Sequence, residues 1–269
     1  MVKEFEKYQY WAIILGGSSG LGLASAKKLA QHGMNICIIH QNTRVEMDKI
    51  NLSFEEIKSY GGEFLSFNAD VLNEDKRSAA LMQLKEKMGD QGAVRCLLHS
   101  IAKGNLKAMT NEFSAGERTG LMSGDFTITI DNMAISLYSW TLAVFVQGLF
   151  AEDARVISFT SEGSHKAWRN YAAVSAAKAA LEAITRNIAL EFAAFGIRAN
   201  CIQAGVTDTQ SLQKIPGSED LIKLSIQRNP FKRLTTPEDV AGMVYLLCKD
   251  EASWVSGATI PVNGGEGIC

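Results

Sequence analysis

The stretch WAIILGGSSGLG, residues 11–22, decides the fold of this chain. An apolar run of strand length leads into a cluster of glycines, and a helical pattern of apolar residues follows from Leu23. Gly16 would permit a tight turn, Gly20 would let the backbone approach a phosphate, and Gly22 would let the helix pack closely on the strand. Free amides at the start of such a helix attract a pyrophosphate. The stretch therefore predicts a dinucleotide-binding turn, whose other members are Ser18, Ser19 and Leu21.

The next apolar run, residues 34–39, predicts the second strand of the same unit. The position after such a strand distinguishes the two nicotinamide cofactors, because a carboxylate there binds the ribose diol and repels a 2′-phosphate. No carboxylate occurs from His40 to Arg44, where Gln41 and Asn42 are neutral. Arg44 could hold a phosphate, or it could be an ordinary solvated charge. These four residues predict a cofactor site that takes NADPH, with NADH as the alternative.

A third strand is predicted over residues 64–71, and it ends at Asp70 and Val71. The Asp70 carboxylate could accept a hydrogen bond from the adenine amine of the cofactor. It could equally cap the helix that the pattern predicts from about Asn73. The sequence leaves both interpretations open.

Apolar strands and amphipathic helices alternate over the rest of the chain. Two long helices are predicted at residues 126–150, which contain Asn132, and at residues 171–195. The remaining strands are predicted at residues 94–98, 155–160, 197–202 and 258–262. Pro261 in the last of these indicates an edge or end position. The pattern predicts an α/β fold of the Rossmann type, a doubly wound parallel sheet in one domain spanning residues 1–269.

Composition excludes several other classes of function. The chain has 269 residues and a formal net charge of −2, which is too balanced to indicate a nucleic-acid partner. No signal peptide or membrane span is expected, and the five cysteines show no paired spacing, so we expect a protein of the reducing cytoplasm. The four histidines are scattered, and no metal site is expected.

Tyr171 and Lys178 carry the chemistry that the sequence predicts. They are seven residues apart at the start of a helical pattern, so both side chains share one face, separated by about 10.5 Å of helical rise. A neighbouring ammonium favours the phenolate, so we expect the pKa of Tyr171 to lie below its usual value of about 10. The pair predicts general-acid catalysis.

The whole chain resembles the short-chain dehydrogenase/reductase family. The resemblance runs from the glycine turn through Asp70, Val71 and Asn132 to the sequence VNGG at residues 262–265. Common members of that family place a tyrosine four residues before the lysine, where this chain has Val174, which cannot donate a proton.

The displaced tyrosine is similar to that of the bacterial enoyl-acyl-carrier-protein reductases, which have a Tyr-x6-Lys arrangement. Two further departures agree with this: His99-Ser-Ile stands where the wider family has Asn-Ala-Gly, and Ala204-Gly205 stands where it has Pro-Gly. The glycine loop is nevertheless of the ordinary spacing, and Ser161 stands where the commonest enoyl reductases have a second tyrosine. The resemblance therefore implies the NADPH-preferring branch of those enzymes.

Catalytic roles follow from the resemblance. Tyr171 would hydrogen-bond the developing enolate oxygen, and Lys178 would hold the nicotinamide ribose. Asn132 would support the lysine through water, or it would be structural. Ser161 would contact the substrate or the nicotinamide, or it would make only a turn hydrogen bond. His99 is expected to be a loop residue satisfied by the backbone.

The resemblance also implies cofactor contacts after the fourth and sixth strands. Those after the fourth strand involve Ser100, Ile101 and Ala102. Those after the sixth involve Gly205, the Val206 backbone and Thr209. Thr209 could instead cap the next helix.

Residues 205–237 are expected to cover the substrate. Their apolar members could cover an acyl chain, and their cations could meet an acidic acyl carrier protein, although an amphipathic surface helix has the same composition. The cations are Lys214, Lys223, Arg228, Lys232 and Arg233. Family resemblance further implies a homotetramer built on the helices at residues 126–150 and 171–195.

Three functions remain open from the sequence. The first is NADPH-dependent reduction of the 2,3 double bond of an enoyl thioester, in fatty acid synthesis. The second is reduction of a ketone, aldehyde or 3-oxoacyl thioester, and the third is a nicotinamide-binding regulator without turnover. Val174 argues against the second, and the intact pair of Tyr171 and Lys178 argues against the third.

Overall fold

The computed structural model describes residues 2–110, 120–213, 215 and 217–268. Its centre is one sheet of seven parallel strands in the order β3-β2-β1-β4-β5-β6-β7. The strands are β1 (Tyr10–Leu15), β2 (Asn35–His40), β3 (Phe64–Asn68), β4 (Ala93–His99), β5 (Phe150–Thr160), β6 (Ile197–Ala204) and β7 (Thr259–Val262). This confirms the predicted doubly wound Rossmann fold.

Helices cover both faces of the sheet. They are α1 (Gly20–Gln31), α2 (Met47–Ser59), α3 (Glu74–Met88), α4 (Ser123–Ile130), α5 (Ser136–Val146), α6 (Ala172–Glu191), α7 (Gln210–Gln213), α8 (Ser218–Arg228) and α9 (Pro237–Cys248). Successive side chains of a strand point to opposite faces, so Ile13 packs with α3, α5 and α6 while Ile14 packs with α1, α2 and α9. Burial on both faces explains the uninterrupted apolar runs of the central strands.

The helix predicted at residues 126–150 is wrong in its continuity and its end. A π-helical turn, Asp131–Ile135, separates α4 from α5, and Gly148 with φ +65° ends the helical segment. Phe150 already belongs to β5. The apolar pattern continues through the π turn, so the pattern alone does not reveal it.

Two other predicted boundaries differ from the structure. The third strand ends at Asn68, which pairs with His40 at the end of β2, so Asp70 lies in the following turn. The helix predicted to reach Phe195 ends at Glu191 and continues only as a single 3-10 turn. Pro261 lies in the edge strand β7, as predicted.

A cluster of ionic groups lies near the start of β5, away from the carboxyl ends of the strands. Asp153 forms salt bridges with Arg95, Arg155 and Arg198. Arg95 and Arg155 also donate to backbone carbonyls in the last turn of α9, and Arg95 forms a salt bridge with Asp250. The cluster connects three strands to the end of α9.

Within the residues described, no helix has the length and apolar character that crossing a membrane requires.

Candidate active site

A cleft of about 790 Å³ opens at the carboxyl ends of the central strands. It brings together most of the residues predicted for the site. These are Gly16, Ser18, Ser19, Gly20, Leu21, His40, Gln41, Asn42, Val71, Ser100, Ile101, Ala102, Asn132, Ser161, Tyr171, Lys178, Gly205, Val206 and Thr209. Three predicted cofactor residues do not line it, namely Gly22, Arg44 and Asp70.

The glycine loop forms a cradle at one end of the cleft. Gly16 has φ +84°, and a Cβ placed on it would lie 2.5 Å from the Ser100 carbonyl oxygen. Gly22 is buried in α1, where a Cβ would collide with the Gly16 carbonyl, so its predicted packing role fits its position below the cleft. The Ser19 side chain, at the N-cap position of α1, does not cap the helix. The cradle therefore fits a pyrophosphate held by backbone amides.

The loop after β2 contains a carboxylate that the sequence interpretation missed. Glu46 lines the cleft, and its carboxylate accepts hydrogen bonds from the Thr43 amide at 2.7 Å and the Thr43 hydroxyl at 2.9 Å. The sequence window ended at Arg44, two residues too early. Arg44 itself is exposed and lies outside the cleft lining. If the protein prefers NADPH, a cation from another segment must therefore bind the 2′-phosphate.

Asp70 does not cap the following helix. Asn73 does so, because its side chain accepts a hydrogen bond from the Lys76 amide at 2.9 Å. The Asp70 carboxylate accepts from the Leu72 amide at 2.9 Å and from Gln41 Nε2 at 3.2 Å. The capping interpretation of Asp70 was wrong.

Tyr171 is buried at the N-terminal end of α6, with the Trp168 ring 5.1 Å from its own. Burial raises the pKa of Tyr171, and the nearby Ser161 hydroxyl opposes this shift only in part. The expectation of a lowered pKa was wrong, because desolvation of the phenolate dominates. The phenol is therefore a protonated hydrogen-bond donor at neutral pH.

Ser161 and Asn132 present buried polar atoms to the cleft. Asn132 Oδ1 has no hydrogen-bond partner within the described chain, whereas the Ser161 hydroxyl lies close to the Tyr171 phenol. Asn132 lies in the π turn, and its Nδ2 donates to the Ile128 carbonyl at 2.8 Å. Buried polar atoms in native proteins almost always have partners, so Asn132 Oδ1 indicates a group supplied by a substrate, a cofactor or water.

Lys178 lies beneath Tyr171 on the same helix and lines the cleft. Its Nζ donates to the Phe159 carbonyl at 2.6 Å, at the end of β5. Burial lowers the pKa of Lys178 to about 8, so the ammonium is still charged at neutral pH. The lysine can therefore present positive charge to the cleft.

His99 was predicted to be a loop residue, but the structure places it in a strand. His99 is the last residue of β4, and its Nε2 lies 2.7 Å from Ser136 Oγ. Ser136 Oγ donates to the Asn132 carbonyl at 2.7 Å, so His99 must donate to Ser136. Burial and the charge of Lys178 lower the pKa of His99 to about 3, which keeps the ring neutral. The network fixes the backbone of the π turn that holds Asn132.

An apolar chamber adjoins the phenol. It is formed by cleft residues that cluster around Tyr171, namely Leu106, Met133, Trp168, Val174 and Ile215. Leu212 and Leu221 also line the cleft. Gly104 also lines the cleft and packs closely on α4, because a Cβ there would lie 2.6 Å from the Thr129 methyl group. Part of the segment expected to cover the substrate, residues 205–237, thus lines the cleft, although Lys214 lies outside the described residues.

Arg228 connects this covering segment to Glu162, in the turn after β5, through an ion pair. Its guanidinium bonds to Glu162 Oε2 at 2.8 Å and Glu266 Oε1 at 2.7 Å. Two buried carboxylates thus already pair with Arg228, so its expected contact with a carrier protein stays a prediction that the exposed cations of the segment serve better. Glu266 also accepts from the Val206 amide at 3.3 Å.

Thr209 caps α7, which confirms one of its two predicted interpretations, and its contact with the cofactor stays a prediction. It lines the cleft beside Gly20, and its Oγ1 accepts a hydrogen bond from the Leu212 amide at 3.3 Å, within α7. A cofactor contact and a helix-end contact are therefore compatible at this residue.

The Rossmann sheet carries a glycine cradle that fits a pyrophosphate. It also carries a buried tyrosine and lysine beside an apolar chamber. Together these features define a nicotinamide-dependent oxidoreductase. The family model described as Enoyl-(Acyl carrier protein) reductase matches residues 16–266. The chain belongs to the short-chain dehydrogenase/reductase family.

Relatives within this family have different substrates. The chain is 26% identical to 1-cyclohexenylcarbonyl-CoA reductase of Streptomyces collinus, over 96% of this chain and 86% of the relative. It is 27% identical to 3-oxoacyl-(acyl-carrier-protein) reductase of Staphylococcus epidermidis, over 94% of this chain and 97% of the relative. The fold also matches the crystal structure of an enoyl-(acyl-carrier-protein) reductase from Anaplasma phagocytophilum in complex with NAD, with a TM-score of 0.80, 20% identity and coverage of 100% and 95% of the two chains.

Proposed function

We propose that this protein reduces the 2,3 double bond of an enoyl thioester with NADPH. One observation carries the proposal. Tyr171 has the only phenol among the described residues that line the cleft, and Val174 occupies the lining position four residues before Lys178. The proton donor is therefore displaced by about one helical turn from its usual place in the family.

The displacement suits conjugate reduction. In ketone reduction, the carbon that receives hydride bears the oxygen that needs a proton. In an enoyl thioester, hydride enters C3 while negative charge develops on the thioester oxygen, two carbons away. A hydrogen-bond donor for that oxygen must therefore be displaced relative to a ketone donor.

The chain supplies the remaining parts of the site. The glycine cradle would hold the pyrophosphate, and Lys178 would hold the ribose next to the reacting ring. Bound NADPH supplies the hydride. The phenol of Tyr171 donates to the developing enolate oxygen, and the Ser161 hydroxyl offers a second polar contact. The apolar chamber excludes water from the acyl group.

Reduction of a 3-oxoacyl thioester is the second candidate. It is supported by the Staphylococcus epidermidis relative, which is a 3-oxoacyl-(acyl-carrier-protein) reductase. A carrier protein would meet the cations that remain exposed near the covering segment, namely Lys223, Lys232 and Arg233. Arg233 is already paired with Asp239, so the first two are the better candidates.

We propose that the reaction takes place in the cytoplasm.

The reaction is tested by comparing 2-enoyl and 3-oxoacyl thioesters of equal chain length. We expect NADPH-dependent reduction of the enoyl thioester with a specificity constant at least about tenfold higher, because the displaced phenol suits the enolate oxygen. Oxidation of the nicotinamide reports both reactions. A faster rate with the 3-oxoacyl thioester would replace the leading function by the second.

Assembly is tested through an exposed apolar stripe. Ile135, Tyr138, Leu142 and Val146 recur at helical spacing along the outer face of the π turn and α5, and all are exposed. We propose that α5 and α6 form a homotetramer interface, because such a stripe on a free surface favours association.

Light scattering at micromolar concentration should show a tetramer for the wild type. Leu142→Asp combined with Val146→Asp should shift it to a smaller species, because charge in an apolar interface is costly. Leu52→Asp, at an exposed apolar position on α2, is the matched control and should leave the mass unchanged. A monomeric wild type, or an unshifted double variant, would contradict the interface.

A further inference from the structure

Among the described residues that line the cleft, two side chains are cationic, namely Lys178 and Lys103. Lys178 is buried at the catalytic end, where it bonds to the Phe159 carbonyl. Lys103 lies in the segment after β4, and its side chain is 55% exposed. Arg44, the cation expected to bind a 2′-phosphate, is not part of the lining.

The ammonium of Lys103 reaches across to the ends of β2 and β3. Its Nζ donates to Gln41 Oε1 at 3.0 Å and lies 3.4 Å from Asp70 Oδ2. Gln41 is the first residue after β2, the position that faces the adenosine ribose in dinucleotide folds. The charge of Lys103 is therefore centred where a 2′-phosphate distinguishes NADPH from NADH.

The present partners of Lys103 are replaceable. A long ion pair between exposed groups contributes little, so the contact with Asp70 does not commit the ammonium. A phosphate monoester carries up to two negative charges, which its terminal oxygens share, and it accepts short charge-assisted hydrogen bonds. The Glu46 carboxylate, in the loop after β2, would disfavour a phosphate there. NADPH binding would therefore need a compensating cation.

We propose that Lys103 binds the 2′-phosphate of NADPH and determines the cofactor preference. This inference rests on the NADPH part of the proposed function. It is independent of the acyl substrate, because cofactor binding can be measured without turnover.

Dissociation constants for NADPH and NADH, measured by nicotinamide fluorescence on the full-length protein, test the proposal. Lys103→Met should weaken NADPH binding about tenfold, the value of a hydrogen bond to a charged group, and should change NADH binding less than about twofold. Lys103→Arg should restore most of the preference. Lys107→Met is the matched control, because Lys107 is a neighbouring exposed cation that pairs with Asp125 outside the cleft lining.

Three outcomes would overturn the role of Lys103. They are unchanged NADPH binding in Lys103→Met, equal losses for both cofactors, and loss of the preference in Arg44→Met instead. Wild-type protein that binds NADPH no more tightly than NADH would refute the cofactor part of the proposed function, and the role of Lys103 with it. A wild type that prefers NADPH but fails to reduce enoyl thioesters would refute only the proposed reaction.

Discussion

Tyr171→Phe should lower turnover by about 100-fold or more while leaving cofactor affinity nearly intact. The phenol acts on charge that develops in the transition state, so its loss affects the chemical step. The phenylalanine ring keeps the contact with Trp168 and the burial of the original side chain. Steady-state kinetics with an enoyl thioester and a fluorescence titration with NADPH separate the two effects.

Tyr8→Phe is the matched control for this experiment. It removes the same hydroxyl from an exposed tyrosine that does not line the cleft. Its turnover should stay at the wild-type level. Near-wild-type turnover of Tyr171→Phe would remove the tyrosine from the catalytic role.

The fold could be predicted because its signals are local. The strand, glycine turn and helix at residues 11–22 determine the first unit, and apolar runs of strand length repeat through the chain. The break between α4 and α5 could not be predicted, because the apolar pattern continues through the π turn. What holds that turn is the bond from His99 to Ser136, which joins residues far apart in sequence.

The candidate site was predictable where one segment supplies the whole motif, as with the glycine loop or the pair Tyr171 and Lys178. It was not predictable where the environment decides. The raised pKa of Tyr171 comes from burial by other segments, and helix spacing carries no information on that. Trp168 and Lys103 reach the cleft from loops with no motif of their own.

The arginine cluster around Asp153 leads to the largest expected effect on stability. Arg95 and Arg155 are each 1% exposed, and both depend on this carboxylate. Burial alone would raise the pKa of Asp153, but hydrogen bonds and charges from the two arginines outweigh it, so the pKa lies below its ordinary value. The carboxylate is therefore bound more favourably in the folded state when it is ionised.

Asp153→Asn should lower the free energy of unfolding by about 3 kcal/mol, because it leaves the buried Arg155 guanidinium without its carboxylate and Arg95 with only the exposed Asp250. Asp250→Asn is the matched control: Asp250 also bonds to Arg95 but is 73% exposed, so its loss should cost less than about 1 kcal/mol. Urea unfolding at fixed protein concentration measures both.

The effect of Asp153 should also depend on pH in one direction. A carboxylate with a depressed folded-state pKa contributes stability above its unfolded value of 3.8, and that contribution is lost as the pH falls through the folded value. The difference between wild type and Asp153→Asn should therefore be full at neutral pH and shrink in acid below about pH 4. A difference that is small at pH 7, or that grows in acid, would show that the arginines are held by their backbone carbonyls. Asp153 would then add little to the connection between the strands and α9.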